Sequence, residues 1–276
     1  MDFSTMGGEL GTLALGLAMA GVVSGLVAGL LGVGGGIVIV PVMYQVLRAV
    51  GVDQGLCMHL AVGTSLACII PTSLASLGAH NKKGAVDWAL LKRWVGPMLL
   101  GVIAGSLLAG IARGQTLTLI FGLIAMPVAA QLAFGKESWR LADHLPSGVV
   151  GALPPFVIGW VSTMMGIGGG MLGVPTQTLS GVPIHRAVGT AAAFGAIISV
   201  PGAIGAAIAG WGVHGLPPFS YGYVNLMGFA IIAPVAFFMA PLGARIAHMT
   251  DNNRLRKLFG LFVAITAAKM LWEVLS

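Results

Sequence analysis

Two uncharged apolar runs in this chain end in the same glycine-rich interruption. Leu10–Leu31 contains no charged residue and is followed by Gly32-Val-Gly34-Gly35-Gly36-Ile-Val-Ile-Val-Pro41. Gly148–Met165 is also uncharged and is followed by Gly166-Ile-Gly168-Gly169-Gly170-Met-Leu-Gly-Val-Pro175. The first run is about 33 Å long as a helix, enough to cross the hydrocarbon core of a bilayer. A glycine in a helix interior costs about 1 kcal/mol relative to alanine, so three in succession break the helix. Within a membrane, a broken helix survives only where protein or a water-filled cavity surrounds it. Paired interruptions in corresponding halves point to the binding site of a transporter.

Composition supports an all-α polytopic membrane protein. The chain is 57% hydrophobic and 8% charged, whereas a soluble domain carries roughly 25% charged residues. Its 43 glycines suit helices packed closely in lipid. The net charge of +6 comes from scattered loops rather than one basic face, so it speaks for positive-inside topology and against nucleic acid. Cys57 and Cys68 share a helical face but sit about 16 Å apart along the axis, too far for a disulfide with each other. They read as small buried hydrophobes. Residues 1–9 contain Asp2 and Glu9 but no Lys or Arg, so no signal-peptide n-region is expected there.

Further spans are expected at Cys57–Ala79, Trp94–Ala112, Thr116–Phe134, Ala187–Gly210, Tyr223–Ile246 and Leu258–Leu275. Trp94 reads as an interfacial residue opening its span. Ile37–Val50 and Met171–Leu179 are short segments after the breaks, either fully spanning or re-entrant. The halves align beyond the glycines. His59-Leu-Ala-Val-Gly-Thr64 matches His185-Arg-Ala-Val-Gly-Thr190, and Gly105 and Phe121-Gly122 match Gly243 and Phe259-Gly260. This is an internal duplication: residues 1–134 form one repeat, 135–146 a cytoplasmic linker, and 147–276 the second.

Charge placement orients the repeats. Loop 79–93 carries Lys82, Lys83, Lys92 and Arg93, while its mate, 211–222, carries no charge. Loop 247–257 carries Arg254, Arg256 and Lys257 against a single Arg113 in its mate. About five spans per half, arranged as an inverted repeat, place the basic loops inside and both termini outside a plasma (inner) membrane.

The two G-x-G-G-G-x-x-x-V-P copies, each followed by a short apolar segment and then A-V-G-T, resemble the TauE/SafE family of sulfite exporters and small-anion permeases. The resemblance covers nearly the whole chain. It implies proton-linked or passive movement of sulfite or an organosulfonate.

Each candidate residue has a plainer reading beside the functional one. Gly34, Gly35, Gly36, Gly168, Gly169 and Gly170 either permit tight helix crossing or expose helix N-termini that attract an anion. A dinucleotide fingerprint is disfavoured, because the flanks are membrane spans rather than a strand–turn–helix unit and Asp53 sits at a span boundary. Thr64, Ser65 and Thr190 either bond back to their own helices or face the breaks and donate to substrate. Gln45 and Gln177 line a pore or tie helices together. His59 and His185 are interfacial, or titrate with transport. No carboxylate is read within a span, which argues against a sodium site.

The leading expectation is therefore a permease holding a small oxyanion between the breaks and moving it by alternating access. The alternative is an intramembrane enzyme or sensor built on His59 and His185; catalysis would need an acid–base partner or a metal set, and neither is evident. No cofactor or metal is expected. The expected partners are a small anion and the lipid bilayer, with protons and further copies of the chain left open.

Overall fold

The computed structural model describes residues 3–32, 34–134, 145, 148–246 and 252–275. These fold into α1 (Phe3–Leu31), α2 (Gly36–Ala49), α3 (Gln54–Asn81), α4 (Trp88–Ile111), α5 (Gly114–Phe134), α6 (Leu153–Met165, preceded by a 3-10 turn), α7 (Gly170–Leu179), α8 (Ile184–Ala209), α9 (Leu226–Ile246) and α10 (Asn252–Leu275). Six of the described helices (α1, α3, α4, α5, α8 and α9) are long and apolar enough to cross a bilayer. The chain is thus a multi-pass membrane protein. Helices α2, α6 and α7, with 14, 13 and 10 residues, fall short of a full span by length, and α10 carries Lys269 and Glu273.

Local chemistry sets the helix starts. Asp53 accepts from the Gly55 N–H at 2.8 Å to cap α3, and Asp87 accepts from the Leu90 N–H at 2.9 Å to cap α4. Asn225 caps α9 in the same way, accepting from the Gly228 N–H at 2.8 Å. Short polar side chains at this position satisfy N–H groups that the helix cannot. Because Asp87 caps it, α4 begins six residues before the expected Trp94. Trp94 is consequently not interfacial: it is 1% exposed and stacks on Phe194. A small antiparallel hairpin, Ser220–Tyr221 against Val224–Asn225, closes the α8–α9 connection, so α9 begins at Leu226 rather than at the expected Tyr223.

The main packings join the two halves. Helix α1 packs on α9, α4 on α6, α3 on α8 and α9, α4 on α8, and α5 on α10. Exchanging the halves (α1 for α6, α3 for α8, α4 for α9, α5 for α10) turns this set into itself. Glycines allow the closest crossings. A Cβ on Gly25 would stand 2.4 Å from the Ala236 carbonyl oxygen, and one on Gly101 would stand 2.0 Å from that of Phe156. Such small-residue contacts drive helix association in lipid. Leu100, Ile103, Leu107, Ile111, Leu123, Ile204, Ile208 and Phe238 are exposed and form an apolar exterior suited to acyl chains.

Connections gather at two ends. One end, the basic face, brings the α3–α4 loop beside the α7–α8 loop, with Arg186 Nη2 3.2 Å from Asp87 Oδ2. The other, the hairpin face, brings the α2–α3 turn, the α4–α5 turn and the hairpin together. There His59 stacks on Tyr223 at 4.7 Å and contacts the Ala112 carbonyl oxygen. The linker 135–146, except Leu145, and residues 247–251 lie outside the described residues.

Candidate functional site

The two glycine interruptions meet. A Cβ on Gly34 would stand 3.0 Å from the Cα of Gly168, and one on Gly36 would stand 2.3 Å from the Gly166 carbonyl oxygen. Gly35 and Gly169, the residues preceding α2 and α7, adopt left-handed conformations with φ of 75° and 73°. Only glycine reaches that region without a Cβ penalty. Neither helix start has a side-chain cap, so two helix N-termini begin beside each other in the buried centre of the molecule. Each carries a partial positive charge of about half a unit.

Two serines hold the surrounding backbone. Ser65 Oγ donates to the Gly166 carbonyl at 2.7 Å, so a residue of α3 grips the second break. Ser24 Oγ donates to the Gly35 carbonyl at 3.1 Å and grips the first. Ser24 was not singled out in the sequence; nothing in an apolar run marks which hydroxyl faces inward.

The other candidates are dispersed. Thr64 and Thr190 are fully buried, yet neither is engaged with a break. The Thr64 hydroxyl accepts from the Asn225 N–H and the Thr190 hydroxyl from the Asp87 N–H, each at 2.9 Å. Gln177 donates to the Gly173 and Ala187 carbonyls and ties α7 to α8. Gln45 lies at the edge, where it donates to Glu273 and accepts from Lys269. Glu273 is a carboxylate near the end of the last span that the sequence reading passed over; it pairs with Arg48 at 2.5 Å, and its side chain is 15% exposed.

The histidines differ. His185 is exposed in the first turn of α8. His59 is buried, with Nδ1 3.1 Å from the Gly55 carbonyl oxygen and Nε2 3.0 Å from that of Ala112. Burial pushes the phenol of Tyr223, stacked against it, above its usual range. Beneath this pair is a cavity of about 20 Å³, lined by His59, Leu66, Ser106, Thr163, Gly202 and Tyr223. It has room for a water-sized molecule. The basic face is more open: a cleft of about 630 Å³ lies between the start of α4 and the α7–α8 loop, lined by Asp87, Arg93, Ser180 and Arg186. No group of three or more metal-ligating side chains occurs among the described residues.

The profile of the sulfite exporter TauE/SafE family matches residues 17–270. The chain belongs to the TauE/SafE family. A probable membrane transporter protein of Haemophilus influenzae is 32% identical over 255 residues, covering 91% of this chain and 96% of that protein. Probable membrane transporter proteins of Methanocaldococcus jannaschii and Bacillus subtilis are 24% and 25% identical over similar extents. No solved structure matches the chain. This TauE/SafE chain is therefore a membrane transporter, and the glycine interruptions that the sequence places in each half adjoin one another at its centre.

Proposed function

We propose that this protein is a permease for a small, singly charged oxyanion, with sulfite in its bisulfite form or an organosulfonate as substrate. The observation that carries the reading is the contact between Gly34 and Gly168 beside two uncapped helix N-termini. Helix N-termini bind oxyanions through N–H donors and the dipole, and two half-charges match one negative charge. The remaining glycines of the motif, Gly35, Gly36, Gly169 and Gly170, admit the backbone to the anion. Ser65 and Ser24 fix the carbonyls around it.

Transport proceeds by alternating access, with the two homologous halves acting as an inverted repeat. An open cleft on one face and a water-sized cavity behind His59 and Tyr223 on the other support this reading. His59 bridges α3 to the α4–α5 turn through the Gly55 and Ala112 carbonyl oxygens and so braces the hairpin face. The basic face is cytoplasmic by the positive-inside rule, in the plasma membrane with both termini outside.

The test is flux into proteoliposomes of the full chain, presented with sulfite, sulfate, thiosulfate and simple sulfonates. Saturable movement of a monoanion is expected. Turnover of a substrate without movement of any anion would favour the enzyme reading instead.

A further inference from the structure

The pseudo-symmetry that relates the two halves is broken in charge at the cleft on the basic face. Matching His59–Thr64 to His185–Thr190 puts Leu60 opposite Arg186. Matching Gly105 to Gly243 puts Asn225 opposite Asp87 and Ile231 opposite Arg93. The same register pairs the two capping bonds, Leu90 N–H to Asp87 and Gly228 N–H to Asn225, and the two threonine contacts. So the arginines lining the cleft have apolar counterparts on the hairpin face.

Asp87 and Arg186 have unequal freedom. Asp87 is committed to the fold: Oδ1 caps α4, its N–H reaches Thr190, and only Oδ2 meets Arg186. Arg186 is 57% exposed and is held through that contact. A partly exposed pair of this kind contributes little to stability, so the guanidinium exchanges readily between the aspartate and an incoming anion, for which its fork of donors is suited.

Below the cleft, Trp94 follows Arg93 in α4 and stacks on Phe194, with ring centroids 5.6 Å apart. Phe194 packs on the second break: a Cβ on Gly169 would stand 3.2 Å from its Cβ, and one on Gly173 would stand 2.7 Å from its ring. The indole N–H of Trp94 is buried and has no hydrogen-bond partner among the described residues. A buried donor left unpaired is costly.

We propose that the cleft formed by Arg186, Arg93 and Asp87 is an entry site for small oxyanions on the basic face alone, that Arg186 passes from Asp87 to the anion, and that the Trp94–Phe194 pair separates this site from the glycine breaks. This rests on the permease reading above and gives it a sidedness.

The experiment is sulfite flux in proteoliposomes of defined protein orientation, with KM measured from each face. Arg186→Gln should raise KM about threefold to fivefold for sulfite offered at the basic face, the scale of one partly exposed charge contact, and leave KM at the hairpin face unchanged. Arg186→Lys should restore most of the loss. Asp87→Asn keeps a capping oxygen but releases Arg186, so it should lower KM at the basic face. Equal effects at both faces, or an unmoved KM in Arg186→Gln and Asp87→Asn while the wild type transports, would overturn the entry site and leave the permease standing. A wild type that moves no oxyanion would overturn both.

Discussion

The hydroxyl of Thr190 accepts the backbone N–H of Asp87 across 2.9 Å, joining α8 to the residue that caps α4. Thr64 does the same for Asn225 and α9. Each threonine thus belongs to one half and fixes the start of a helix in the other. Thr64→Val or Thr190→Val should leave a buried N–H without a partner and destabilise the protein by about 1–3 kcal/mol. Serine at either position should recover most of that. Thermal unfolding in detergent reads the difference, and a valine variant as stable as wild type would remove these threonines from the account.

Capping predicts a separate outcome at Asp87. Asp87→Ala should lose about 1 kcal/mol of helix stabilisation together with the Arg186 contact, whereas Asp87→Asn should retain the cap. The two variants should therefore separate in unfolding temperature, with the alanine form lower.

Sidedness has its own check. Single cysteines at positions 82 and 254, introduced in a chain lacking Cys57 and Cys68, should react with impermeant reagent only from the cytoplasmic side, and a cysteine at 214 only from outside. Labelling of 82 and 214 from the same side would defeat the inverted arrangement.

Substrate charge gives a pH prediction. Two helix ends balance one negative charge more closely than two. Initial flux per total sulfite should rise as pH falls and the dianion takes up a proton. Flux that follows the dianion would contradict a monoanion site.

Much of the fold was legible because charge-free runs and triple glycines have few physical solutions in a bilayer. Six long apolar helices and both glycine breaks follow from residues near in sequence. Side-chain direction did not. Helices such as α3 and α4 are apolar on every side, so their sequence carries no phase to say which face turns inward. Trp94 therefore read as an interfacial residue although it lies against Phe194, and the Thr64 and Thr190 hydroxyls could not be assigned a partner. Asp87 did carry a signal: a short acidic side chain just before an apolar helix is a capping position, and it moves the start of α4 to Trp88. The Arg48–Glu273 pair spans most of the chain, and no local pattern announces it.

The central claim is that an anion passes where Gly34 meets Gly168. Gly34→Ala inserts one methyl group at that contact. Its φ of 77° costs the alanine about 1–2 kcal/mol, which a folded protein can absorb. Saturable sulfite flux should be measured in proteoliposomes holding equal amounts of folded wild type and variant. The account predicts flux in the wild type and at least about a tenfold loss in Gly34→Ala, the equivalent of about 1.4 kcal/mol. Undiminished flux through the variant, or none through the wild type, would contradict it.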